Sequence, residues 1–155
     1  MVGLSVDEQA CVERAMAAQE AMLRRTLEWA SINSGSRNLA GLAAVGERIA
    51  GALAALPGEV AWVEPAPVTS VGADGVERPL EHGRHLRLRV RPEAPLQLLL
   101  TGHMDTVYPP DHPFQACREI EPGVINGPGT ADMKGGIAVM IAALEAIEAA
   151  GADHI

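Results

Sequence analysis

The chain has 155 residues, 48% of them apolar and 21% charged, which is the composition of a folded globular domain long enough to bury a core without staples. Its net charge is -8 and only Trp29, Trp62, Tyr108 and Phe114 are aromatic, so it lacks both the basic footprint and the stacking surface of a nucleic-acid binder. Cys11 and Cys117 stand in no metal or redox spacing, no apolar stretch approaches about 18 residues, and the N-terminus carries Asp7 and Glu8 instead of an apolar signal core; a reducing, cytoplasmic setting without membrane contact is expected.

The first element is one long helix. Ser5 followed by Glu8 is a capping box, and Cys11, Ala15, Ala18, Met22 and Trp29 share an apolar stripe. Asn33, Ser34, Gly35 and Ser36 end it with loop composition. A second helix over about 38–55 places Leu42, Val45, Ile49, Leu53 and Leu56 on one face, and Pro57-Gly58 stops it. A short strand follows over 59–64. Residues 65–84 read as a loop or loose hairpin turning at Ala73-Asp74-Gly75.

Leu86, Leu88 and Val90 alternate with Arg87, Arg89 and Arg91, the pattern of a half-buried strand with a solvated arginine face. Residues 96–101 are almost continuously apolar and predict a central strand buried on both faces. Another strand is expected near 115–120, then a glycine-rich loop over 123–130. Residues 133–150 predict an apolar helix with Ile137, Met140, Ile141, Leu144 and Ile147 at helical spacing and Gly151 beyond its end. Residues 152–155 look like the beginning of another element. The alternation of helices and strands predicts an α/β fold, with helices packed on a mixed β-sheet.

Two stretches can carry chemistry. The first is Thr101-Gly102-His103-Met104-Asp105-Thr106-Val107, at the carboxyl end of the apolar run, where open α/β sheets place their ligands. In extended backbone His103 and Asp105 point the same way. A carboxylate that accepts one ring N–H fixes the imidazole tautomer and leaves the other nitrogen free for a metal. A solvated His and Asp at a strand end would show the same residues. The second stretch is Asn126-Gly127-Pro128-Gly129-Thr130-Ala131-Asp132-Met133-Lys134-Gly135-Gly136. Asp132 is placed to be a helix N-cap. Gly135 and Gly136 each cost roughly 1 kcal/mol relative to Ala in a helix, which close approach of another backbone or a metal centre would explain. Lys134 opposes the helix dipole there, so a carboxylate partner is expected unless it is simply solvated. A phosphate cradle is disfavoured, because the loop lacks both a third glycine in register and the lysine-hydroxyl pair of a P-loop.

Together the two motifs resemble the dinuclear zinc peptidase family that includes acetylornithine deacetylase, succinyl-diaminopimelate desuccinylase, aminoacylase and carboxypeptidase G. That family's patterns are roughly S/G-H-x-D-x-V and G-x-x-D-x-K-G-G/A. Gly127-Pro128-Gly129 and the run from His103 to Tyr108 look most like its glutamate carboxypeptidase branch. The resemblance implies that His103 is a ligand of one zinc and that Asp132 bridges two zincs. It gives Asp105 a catalytic part as the carboxylate on His103, and makes Asp132–Met133 a candidate cis peptide. Cobalt or manganese could stand in for zinc.

The resemblance also implies hydrolysis of an amide next to a free carboxylate, in a small N-acyl amino acid or peptide, by a parent that is a homodimer. An adjacent Glu-Glu pair, holding the general base and a further ligand, belongs to the family pattern and does not occur in the 155 residues. Residues 1–155 are therefore expected to be the N-terminal portion of the catalytic domain, truncated before that pair and lacking the dimerisation domain. Such a chain alone is expected to bind zinc weakly or not at all and to be inactive. The alternative is a non-catalytic structural or interaction module that retains the fold. His82, His85 and His112 are expected in surface loops. Cys11 and Cys117 are expected to be small buried apolar groups, and Trp29 and Trp62 core or interface residues.

Overall fold

The computed structural model describes residues 4–151. Its elements are α1 (Val6–Ala17), α2 (Gln19–Ala30), α3 (Leu39–Leu53), β1 (Glu59–Val63), β2 (Val68–Val71), β3 (Glu77–Leu80), β4 (His85–Arg89), β5 (Arg118–Glu121), β6 (Val124–Asn126) and α4 (Lys134–Ala149). The chain adopts the expected α/β class. The element expected over 152–155 lies outside the described residues.

The capping box at the start of α1 forms in both directions. The Glu8 N–H donates to the Ser5 hydroxyl at 3.3 Å, and the Ser5 N–H donates to the Glu8 carboxylate at 2.7 Å. The single long helix does not hold, because it is broken at Ala18 (φ -80, ψ 3) into α1 and α2. No proline or glycine sits there. A straight helix over 6–30 would be about 37 Å long against about 24 Å for α4, and the break lets both halves pack on α4. Asn38 caps α3 through the Gly41 N–H at 3.1 Å.

The core lies between α2, α3 and α4. Trp29, Val45, Ile49, Ile137, Ala138 and Ile141 are buried together, and Met22, Leu86, Met104 and Met133 pack on their margin. Burial of each large apolar side chain contributes roughly 1.5–3 kcal/mol. Two bidentate ion pairs fasten α4 at its outer end. Arg25 reaches Glu145 at 2.7 and 3.2 Å, and Arg91 reaches Glu148 with its nearest bond at 2.5 Å.

The hydrogen bonds from Arg91 hold the Glu148 carboxyl below its ordinary 4.5, against a smaller opposing effect of burial. A depressed folded-state value means that the unfolded chain takes up the proton first as pH falls. The contribution is therefore complete above about 4.5 and lost as pH drops through the folded value. Glu148→Gln should cost about 0.5–1 kcal/mol at pH 7, and the gap from wild type should narrow as pH falls below about 4.5, read from urea midpoints across that range.

The strands make three separate antiparallel pairs, β1 with β4, β2 with β3 and β5 with β6. The β2–β3 hairpin turns at Ala73-Asp74-Gly75, as expected. There Arg78 hydrogen-bonds the Asp74 carboxyl and holds it at about 2. Along β4, Leu86 and Leu88 are half-buried and His85, Arg87 and Arg89 exposed, the alternation the sequence predicts. Strand β6 lies inside the stretch read as a loop.

The largest departure concerns residues 96–101. They form no strand among the described residues, and Leu96, Leu98, Leu99 and Leu100 are 51–88% exposed. The apolar run predicts burial on both faces, and burial requires neighbouring strands that the described residues do not place there. Among the described residues parallel pairing is limited to one bridge, Gly35 with Thr106, so the mixed sheet is present there only in that rudiment. Among the described residues no helix is long and apolar enough to cross a membrane.

Candidate functional site

That bridge builds the site. Thr106 N–H donates to the Ser34 carbonyl at 2.9 Å and Ser36 N–H donates to the Thr106 carbonyl at 3.1 Å. The buried Ser34 hydroxyl donates to the Met104 carbonyl at 2.8 Å. The loop after α2 is thus laid along residues 104–106. Asn33 extends the seam through its side-chain N–H groups, which reach the Tyr108 carbonyl at 3.0 Å and the Gln115 side chain at 2.7 Å.

On this support His103 is gripped at both ring nitrogens. Nδ1 lies 3.1 Å from Asp105 Oδ1 and 3.2 Å from the Asp105 carbonyl, while Nε2 lies 2.8 Å from Asp132 Oδ1. The Ser36 hydroxyl donates to the other oxygen of Asp105. Burial works to lower the basicity of His103, but the hydrogen bonds to Asp132 and the Asp105 carbonyl, with the two negative charges, outweigh it and raise the imidazole above its ordinary 6.5.

Asp132 arrives from the other side. Residues 127–129 are buried, and Thr130 folds back on the Gly127 carbonyl through its hydroxyl at 2.8 Å and its N–H at 3.2 Å. The Asp132–Met133 peptide is cis. Asp132 is not the N-cap of α4. Met133 occupies that position and makes no side-chain cap, which leaves the Asp132 carboxylate 83% exposed and turned to His103. His103, Asp105, Thr106, Tyr108, Phe114, Asn126, Thr130 and Asp132 line part of a cavity of about 270 Å³.

Lys134 departs from its reading as a solvated or carboxylate-paired residue. It is fully buried, and its Nζ donates to the carbonyls of Trp29 at 3.0 Å and Ile32 at 2.9 Å. Burial pushes the amine down to about 8. The amine caps the C-terminal carbonyls of α2, so no carboxylate is needed. The two glycines that follow divide in role. A Cβ on Gly135 would sit 2.3 Å from the Thr130 carbonyl oxygen, whereas one on Gly136 would meet nothing closer than 3.5 Å.

His82 and His85 are exposed, as expected. His112 accepts the Phe114 N–H on Nδ1 and lies against the Tyr108 ring, 4.9 Å between centroids, without lining the cavity. Cys11 and Cys117 are half-buried, and burial raises the Cys117 thiol. The structure therefore brings His103, Asp105 and Asp132 together. Ser36 and Asn33 were missed as site residues. The one signal was their place in a short polar loop joining two helices, which reads as connection when its neighbours in space are unknown.

As a donor set, His103 Nε2 and Asp132 Oδ1 suit a divalent ion such as zinc, with Asp105 fixing the ring behind them. The fit is partial. No group of three or more metal-capable side chains gathers among the described residues, and a protein zinc site takes at least about three.

Residues 99–154 match the model of Peptidase family M20/M25/M40. The chain is 46% identical over 69 residues to succinyl-diaminopimelate desuccinylase 2 of Shewanella loihica, an alignment covering 41% of this chain and 16% of that protein. It is 47% identical over 58 residues to LysW-lysine hydrolase of Deinococcus radiodurans, covering 37% and 15%. The matched part thus spans about one-sixth of either relative. Over residues 99–154, the segment that carries both motifs, the chain is similar to peptidase family M20/M25/M40.

Proposed function

We propose that this chain contributes metal-binding residues to a hydrolase that cleaves an amide bond next to a free carboxylate. The observation that carries the reading is the double grip on His103, with one carboxylate behind the ring and one in front of it. The names of the two relatives, a desuccinylase and a hydrolase, support it. The substrate class is a small N-acyl amino acid or peptide, and the parent is a homodimer.

His103 and Asp132 would hold the metal, zinc or in its place cobalt or manganese. A metal held there would supply Lewis acidity to a carbonyl and to a water. With a metal on Nε2, Asp105 would accept the Nδ1–H hydrogen bond and fix the ring. Tyr108 and Phe114, edge to face with centroids 4.8 Å apart, form an apolar wall that limits water on that side. Asp105 and Asp132 are the carboxylates lining the cavity, and both are committed by this assignment. Proton transfer to the leaving amine therefore falls to a group beyond the described residues, and the chain alone is expected to be inactive.

The alternative, an interaction module that keeps the fold, is favoured by the exposed Leu98, Leu99 and Leu100. Zinc titration calorimetry on the 155-residue chain separates the two. Weak binding by wild type that is lost in both His103→Ala and Asp132→Asn supports the metal reading. Wild-type affinity in His103→Ala removes it.

A further inference from the structure

We infer that Ser36 is a positioning residue that acts on His103 through Asp105, an inference resting on the metal reading of His103. The carboxylate of Asp105 has two oxygens with different tasks. Oδ1 faces His103 Nδ1 at 3.1 Å, and Oδ2 accepts the Ser36 hydroxyl. A carboxylate held at one oxygen only can turn about its terminal torsion, which has broad wells. Held at both, it presents one fixed acceptor to the ring. The Asp105 side chain is 37% exposed, so without the hydroxyl water can reach it and its second oxygen loses the hydrogen bond from Ser36.

The position of Ser36 is itself fixed. Its N–H is bound to the Thr106 carbonyl, Thr106 N–H is bound to Ser34, and Ser34 and Thr106 are buried. The parallel bridge at Gly35 sets the register of the loop against 104–106 and so carries the hydroxyl to Asp105. A slip of one residue would turn the side chain at that position away. The helix-joining loop is thus the outermost layer of the site: Ser36 holds Asp105, Asp105 holds the ring, and the ring presents Nε2 beside Asp132.

The test uses the 155-residue chain with Ser36→Ala, Ser36→Thr and His103→Ala. One readout needs no metal. The His103 ring nitrogens are observed at pH 9 by long-range 1H–15N correlation, with the His103→Ala spectrum giving the assignment. Both ring nitrogens face a carboxylate oxygen, Nδ1 that of Asp105 and Nε2 that of Asp132, so the two neutral forms compete. Wild type should show a larger Nδ1–H share than Ser36→Ala, and Ser36→Thr, which keeps the hydroxyl, should return to the wild-type share. The second readout is the cobalt(II) dissociation constant from visible absorption, expected to weaken about tenfold in Ser36→Ala and to recover in Ser36→Thr, the scale on which outer partners of ligands act. A merely structural serine would alter neither the tautomer nor its rescue. Ser36→Ala with the wild-type ring form overturns the inference, as does a wild-type ring without Nδ1–H. Cobalt binding unchanged by His103→Ala removes the metal reading instead, and the ring spectra still decide the part played by Ser36.

Discussion

Lys134→Ala is expected to cost about 3–5 kcal/mol of unfolding free energy at pH 7, the largest effect of any substitution in the motif. The side chain is completely buried, and its amine bonds two carbonyls at the end of α2. Truncation leaves a cavity, on the scale of about 2–5 kcal/mol for a large buried side chain cut to Ala. It also leaves buried acceptors without that donor, at about 1–3 kcal/mol for a group left unsatisfied. Part of this is returned, because a desolvated cation is removed with the side chain; with its folded value near 8, the amine is still largely charged at pH 7. Lys134→Met isolates the bonds from the volume. It fills the same space without donating, so it should recover roughly half of the loss. Urea denaturation of the three proteins measures all of this, and a Lys134→Met variant as stable as wild type would show that the carbonyls do not need the amine. The geometry also makes this lysine a tie between α2 and the first turn of α4, two residues after Asp132.

Local chemistry was legible in the sequence, and long-range neighbours were not. The Ser5–Glu8 box, the Asn38 start of α3, the stop at Pro57-Gly58, the turn at 73–75 and the Gly151 end of α4 (φ 77) depend on residues within a few positions of one another, and all are present. Period-3.6 faces identified Trp29, Val45, Ile49, Ile137 and Ile141 as core. The alignment of His103 with Asp105 follows from the two-residue repeat of extended backbone, and the structure has it.

The failures involve partners distant in sequence. Lys134 is bound to carbonyls about 100 residues earlier, which no local charge argument could supply. Ser36 meets Asp105 across 69 residues. The apolar pattern of 96–101 states what environment those leucines require, and it cannot state which segment provides it. The break at Ala18 carries no breaker residue at all, so its cause lies in how α1 and α2 share α4.

Gly135→Ala and Gly136→Ala should move stability in opposite directions, although the two changes are chemically identical and adjacent in one helix. By helix propensity alone each should gain up to about 1 kcal/mol, since glycine is the poorer helix former. At Gly136 nothing opposes that gain. The position is exposed, and the nearest atom to a new Cβ would be the flexible end of Met133 at 3.5 Å. A gain of about 0.4–1 kcal/mol is expected. At Gly135 the new Cβ would meet the Thr130 carbonyl oxygen at 2.3 Å.

That oxygen cannot easily withdraw, because Thr130 is tied by both its hydroxyl and its N–H to Gly127 in a buried turn. Either α4 shifts outward from α2 or the turn distorts, and overpacking of this kind costs about 1–3 kcal/mol beyond the propensity gain. The turn also carries Asp132, so relief of the clash should disturb the 2.8 Å approach of Asp132 to His103. Urea midpoints for the two variants read the sign directly, and the His103 ring spectrum reads the displacement. Equal stability of the two variants would mean that the turn at 127–130 yields freely, and the close passage of α4 over Thr130 would then not be what keeps glycine at 135.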